Sequence, residues 1–143
     1  MANFNTYSPD RVIVTFAGMI INGFAPDTFV EIERDEDGFM KYVGSLGDVA
    51  RTHNLNRAGK VTLTLMAVAP INDSLSQYAI VDEIDGDAFG ELMVKDLSGN
   101  MVCHAEIAWV LKWPKIERGK ESGTIQWVID CADIEVFPGG NIL

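Results

Sequence analysis

Met101-Val102-Cys103-His104-Ala105-Glu106-Ile107-Ala108-Trp109-Val110-Leu111-Lys112-Trp113 is the longest regular stretch in the chain. Met101, Cys103, Ala105, Ile107, Trp109, Leu111 and Trp113 share one parity. Val102, His104, Glu106, Ala108, Val110 and Lys112 share the other. Side chains of a strand point alternately to its two faces, so the pattern predicts a long strand with one apolar face. Pro114 brings no N–H to a ladder and stops it.

The segments on either side repeat the theme. Ile125, Trp127, Ile129 and Cys131 alternate with Gln126, Val128 and Asp130. After Cys131 the parity changes, and Ala132, Ile134 and Val136 become the apolar set. A slip of one residue in a strand predicts a β-bulge near Asp130–Ala132. Upstream, Phe89 to Asp96 reads as a strand that turns through Leu97-Ser98-Gly99-Asn100. Lys60 to Ala67 reads as another, with Val61, Leu63 and Leu65 on one face. Val12 to Phe16 and Met19 to Ile21 form a hairpin about Ala17-Gly18. Thr28 to Glu33 alternates as a half-exposed strand. Trp109, Trp113 and Trp127 lie on apolar parities without interleaved bases, so core packing accounts for them better than base stacking.

Between two strands, Ile71, Leu75, Tyr78, Ala79 and Asp82 follow helical spacing, predicting one helix at about 71–83 packed on the sheet. Asn72 or Ser74 is expected to cap it, and Ser74 with Gln77 has capping-box spacing. Asp82-Glu83-Ile84-Asp85-Gly86-Asp87 lacks the pattern of a calcium loop and reads as a solvated acidic loop. Seven or eight strands with one helix predict a mainly β fold, a sandwich or partial barrel. With 143 residues the chain suits a single domain over 1–143.

Residues 34–59 stand apart. Turn signals at Arg34-Asp35-Glu36-Asp37-Gly38 and Gly44-Ser45-Leu46-Gly47-Asp48 bracket two short strands, and Asn56-Arg57-Ala58-Gly59 closes the segment. This predicts a projecting hairpin with little cover of its own, one that orders against another chain. Phe39, Met40, Tyr42, Val43, Leu46, Val49, Arg51 and His53 are its candidate contact residues.

Composition narrows the function. There are 11 basic and 21 acidic residues, for a net charge of −10. A protein that grips nucleic acid by its phosphates needs a basic patch. The longest basic cluster, Lys112 to Lys120, is interrupted by Trp113, Pro114, Ile116, Glu117 and Gly119. No nucleophile elbow, P-loop or zinc-protease helix motif is present, so the chain reads as a non-enzyme with no cofactor. Two cysteines, Cys103 and Cys131, and two histidines, His53 and His104, do not make a metal site. Both cysteines read as buried thiols, though a bridge between neighbouring strands stays open. His104 reads as a surface histidine that Glu106 could orient. The first residues, Met1 to Thr6, lack the basic start and apolar core of a signal peptide, and no apolar run spans a membrane. Synthesis in the cytoplasm, without membrane insertion, is expected.

Several stretches in order resemble the tail tube proteins of contractile-tailed bacteriophages. They are Val14-Thr15-Phe16-Ala17-Gly18 with Gly23-Phe24, then Gly59 to Leu65, Pro70 to Leu75 and Val94 to Asn100. Ala108-Trp109-Val110 with Lys112 and Pro114, Gln126-Trp127, and Phe137 to Asn141 complete the set. The resemblance implies a tail-tube-like fold, similar to that of type VI secretion tubes, assembled as hexameric rings that stack into a tube. Its implied partners are further copies of itself, a tail sheath protein, a tape-measure protein, and baseplate and tail-terminator proteins. DNA would transit the lumen without tight binding, and the protein would reside in the virion tail after assembly in the bacterial host cytoplasm. A baseplate hub, a tube terminator, or the tube of a bacteriocin or secretion system would share this fold. On this reading Glu31, Glu33, Thr62, Thr64, Glu106, Gln126 and Asp130 form a polar face suited to line the channel. Lys60 and Lys112 share its parity, and the 34–58 hairpin would connect rings.

Overall fold

In the computed structural model, which describes residues 6–140, an antiparallel sheet of eight strands carries the chain, with one helix and a separate two-stranded arm. The strands are β1 (Val12–Phe16), β2 (Met19–Ile21), β3 (Val30–Arg34), β4 (Phe39–Val43), β5 (Val49–His53), β6 (Gly59–Met66), β7 (Gly90–Asp96), β8 (Val102–Lys112), β9 (Thr124–Cys131) and β10 (Glu135–Phe137). The helix α1 spans Ile71–Asp85. The large sheet runs β2-β1-β7-β8-β9-β6-β3, with β10 also paired to β8. β4 and β5 pair only with each other. Of the resemblance stretches, Asn141 lies outside the described residues, as do Met1 to Asn5 of the N-terminal reading.

The sheet curls, so one face supplies both walls of the core. Val14 and Phe16 of β1, Leu92 and Val94 of β7, and Cys103 and Ala105 of β8 meet Val61, Leu63 and Leu65 of β6 and Trp127 and Ile129 of β9 in one buried cluster. β3 thereby comes near the start of β1: Val12, Val30, Ile32 and Met101 line one cavity along the open seam. This is the mainly β, partly closed architecture the alternation predicts. The β1–β2 turn needs Ala17 and Gly18, which both take positive φ, 51° and 82°, as a tight hairpin with right-handed twist requires.

The helix covers the core at one end. Leu75 and Ala79 are buried, and Tyr78 meets Phe16 edge-on with ring centroids 4.9 Å apart. Its start differs from the expected cap. Pro70 occupies the N-cap with no side-chain bond, since its ring pre-sets φ for a helical start. Asn72 is inside the first turn and buried. Its Nδ2 donates to the carbonyls of Met66 and Ala69 at 3.0 Å, and its Oδ1 accepts from the Trp127 indole at 2.9 Å. The polar side chain that resembled a cap instead fastens the helix to β6 and β9. The helix also runs through Asp85, so the expected acidic loop is its last turn, closed by Gly86 at φ 74°.

The long strand is not one uninterrupted face. Cys103 and Ala105 are buried, Glu106 and Ile107 exposed, and Ala108 buried again. Leu92 pairs with Ala105 but Gly90 with Ala108, so β8 carries an extra residue against β7. A second shift lies between Val110 and Lys112. The bulge expected at Asp130–Ala132 is a break instead: β9 ends at Cys131, Ala132 and Asp133 are exposed, Ile134 is buried, and β10 resumes at Glu135. The two irregularities face each other. Cys131 pairs with Ala108 and Glu135 with His104, and the Ala132 N–H donates to the Ile107 carbonyl at 3.1 Å. Both strands change face together, which keeps the apolar set inside on either side of the kink. Trp127 alone of the three tryptophans is buried. Trp109 pairs opposite Asp130 on the other face, and Trp113 is 42% exposed with its indole donating to Glu83.

Candidate assembly surfaces

The arm presents no buried side chain. Every residue of β4 and β5 is exposed, among them Tyr42 at 73%, and Leu46 at its tip is 92% exposed. Period-two alternation sorts the arm. Phe39, Val43, Val49, Arg51 and His53 share one face with Lys41, and Met40 and Tyr42 share the other with Ala50 and Thr52. On the first face the Phe39 and His53 rings stack 4.9 Å apart, and the Arg51 guanidinium sits 4.2 Å over Phe39. The eight contact residues expected from the sequence therefore occupy both faces and the tip.

The root of the arm is braced by residues the sequence reading passed over. Asn54 and Asn56 donate through their side-chain amides to the Glu36 carboxylate at 3.0 and 2.8 Å, and these bonds hold the Glu36 pKa below its usual value. Asn54 also closes on the Gly38 carbonyl through its backbone N–H. Below the brace, the Ile134 N–H donates to Arg57 O at 3.0 Å, and the Arg34 guanidinium donates to Ile134 O at 3.0 Å. Arg57 also bridges to Asp133 and Glu135. The kink after β9 thus anchors both legs of the arm. The Asn54-x-Asn56 spacing beside a turn was the available signal, since Asn side chains bond local backbone there.

The polar face is largely assembled by strand register. Glu33, Lys60, Asp130 and Trp109 form one row across β3, β6, β9 and β8. Glu31, Thr62, Val128 and Lys112 form a second, and Thr64 with Gln126 a third. Six of the seven channel candidates therefore share one continuous face. Glu106 stands apart in the kinked part of β8, near His104, Asp133 and Glu135. The His104 imidazole meets Glu91 of β7 at 3.3 Å rather than Glu106, because β7 lies beside this part of β8 in the ladder.

Cys103 and Cys131 are free and buried, and burial pushes their thiols up to about 11 and about 12. Among the described residues no group of three or more His, Cys, Asp or Glu is placed to hold a metal, and no helix is long and apolar enough to cross a membrane.

Comparison with known proteins accords with this architecture. The family described as Bacteriophage PhiTE tail tube protein matches residues 17–139. Structural protein ORF10 of Pseudomonas phage KPP10 is 28% identical over 145 residues, covering 96% of this chain and 84% of the relative. Among solved structures, the tube-terminating cap of the anti-feeding prophage superposes with a TM-score of 0.67 at 14% identity, covering 96% of this chain and 95% of that one. The sheath–tube complex of the extracellular contractile injection system PVC, in its extended state, gives 0.62 at 13% identity, over 93% and 92%. At such identities these structures establish the fold alone.

Proposed function

We propose that this chain, which belongs to the bacteriophage PhiTE tail tube protein family, is the repeating subunit of the inner tail tube, closed into hexameric rings that stack around a channel for DNA. It is a structural protein of the phage tail and not an enzyme. The observation that carries the tube reading is the arm: ten strand residues in a sheet of their own, all exposed and half of them large and apolar. Such a hairpin is marginal in water and gains its cover from a neighbouring subunit. The order of the large sheet supports ring closure. β2 and β3 stand at its two ends, each paired on one side only, and a ring joins such edges between copies.

In this reading the face bearing Glu31, Glu33, Thr62, Thr64, Gln126 and Asp130 lines the lumen, with Glu106 beside it. Mixed polar and acidic groups there let DNA pass without being held. The opposite side of the ring meets a sheath, the lumen holds a tape-measure protein during assembly in the host cytoplasm, and baseplate and terminator proteins close the two ends. The arm, with 34–59, is the inter-ring connector.

Electron microscopy of the purified protein, with its mass from light scattering, tests the reading. Six-fold rings and hollow tubes are expected from the intact chain. Rings alone are expected when residues 39–53 are replaced by a short glycine–serine turn. Intact protein that forms a ring but never stacks would assign it to a tube terminator, a reading favoured by the fit to the anti-feeding prophage cap.

A further inference from the structure

Four of the 11 bases, Lys112, Lys115, Arg118 and Lys120, fall within nine consecutive positions of a chain of net charge −10. They occupy the connection from β8 to β9. There Lys112, Trp113, Lys115, Thr124 and Gln126 line a cleft of about 540 Å³. Of the two acids in the connection, Glu117 is paired with Lys115 at 2.8 Å. Arg118 and Lys120 are exposed.

Strand register places this segment relative to the arm. Thr124 pairs with Met66, and Lys112 with Val128, at one end of the β6–β9–β8 ladder. At the other end Cys131 pairs with Gly59, and Gly59 with Arg34. The arm leaves after Arg34 and returns at Gly59. The basic connection and the arm therefore leave opposite ends of the same strands. The arm end gathers Glu33, Asp35, Glu36, Asp37, Asp133 and Glu135 against Arg34, Arg57 and Lys60. Along its strands the chain is acidic at one end and basic at the other.

We propose that the chain stacks head to tail on a second copy of itself, the basic β8–β9 connection of one copy seated against the acidic arm root of the next. This rests on the tube reading and adds to it a direction and a contact. Two acidic ends or two basic ends brought together repel, so the charge pattern selects one stacking polarity. These groups are exposed, so the attraction is screened over about 8 Å at physiological ionic strength and weakens with salt.

Paired charge reversals test the contact. The variant K115E/R118E/K120E changes only exposed side chains, and its circular dichroism and melting should match the parent. It should form rings that do not stack. E33K/D37K, reversed at the arm root, should likewise give rings alone. Mixed after each has formed rings, the two should stack in alternation, because each reversed end then meets its complement. Tubes from either variant alone, or no tubes from the mixture, would overturn the contact while leaving the tube reading in place, provided the intact protein makes tubes. An intact chain that never stacks would remove both.

Discussion

Asn72 shows how much one buried polar side chain decides. It satisfies two carbonyls of the β6–α1 turn and the indole N–H of Trp127, and so ties helix to sheet at the centre of the core. Its replacement by alanine strands these groups away from water. Asn72→Ala is expected to lower the unfolding free energy by about 3 kcal/mol, read from urea denaturation followed by tryptophan fluorescence. A loss below about 1 kcal/mol would mean that water replaces the amide. The buried acids of weak strength make a second statement at this scale. Burial, with Asp82 nearby, lifts the Tyr78 hydroxyl to about 12, and burial lifts the two thiols to about 11 and about 12. A folded pKa above the unfolded one stabilises the fold fully below the unfolded value, and that stability is lost as pH rises through the folded value. Unfolding free energy should therefore change little from these groups up to pH about 9 and fall between 9 and 12. Replacing both cysteines by alanine should flatten that fall, and an unchanged slope would exclude the thiols as its source.

At the level of elements, the arm and the sheet have different sources of order. The sheet is held by a shared apolar core, whereas the arm has only its ladder, the Phe39–His53 stack and the Glu36 brace. Excising 39–53 removes no buried side chain, so the melting temperature of the remaining domain should move by only a few degrees. Stacking should nevertheless be lost. A large fall in melting temperature would show that the arm packs on its own subunit. The alternation of β6 and β9 was legible because both strands bury one face along their whole length. The alternation of β8 misled at Ile107. A period-two pattern records hydrophobicity, and Ile107 is as apolar as the residues that are buried, so nothing local distinguishes it. The change of face is imposed by β9 and β10, whose own break lies directly opposite.

For the whole molecule, the two sheet ends matter most. β2 carries Ile20 at 68% exposure on an edge paired only with β1. Ile20→Lys should leave the fold intact, since a charge at an exposed edge position is well tolerated, but it should oppose edge-to-edge closure. Light scattering should then report monomers where the parent gives rings, and rings of unchanged mass would place closure elsewhere. By itself the sequence determined the mainly β class, the helix position, the hairpin at 34–59 and the sorting of most side chains into buried and polar sets. These follow from local chemistry: periodicity, turn residues and the absence of reactive motifs. Only the tertiary structure decided that Asn72 is a core fastener and not a cap, that His104 meets Glu91, and that β8 and β9 kink together. It also decided that the acidic arm root and the basic connection stand at opposite ends of the strands. Each of these depends on which strand lies beside which, a relation between residues far apart in the chain that no local pattern encodes.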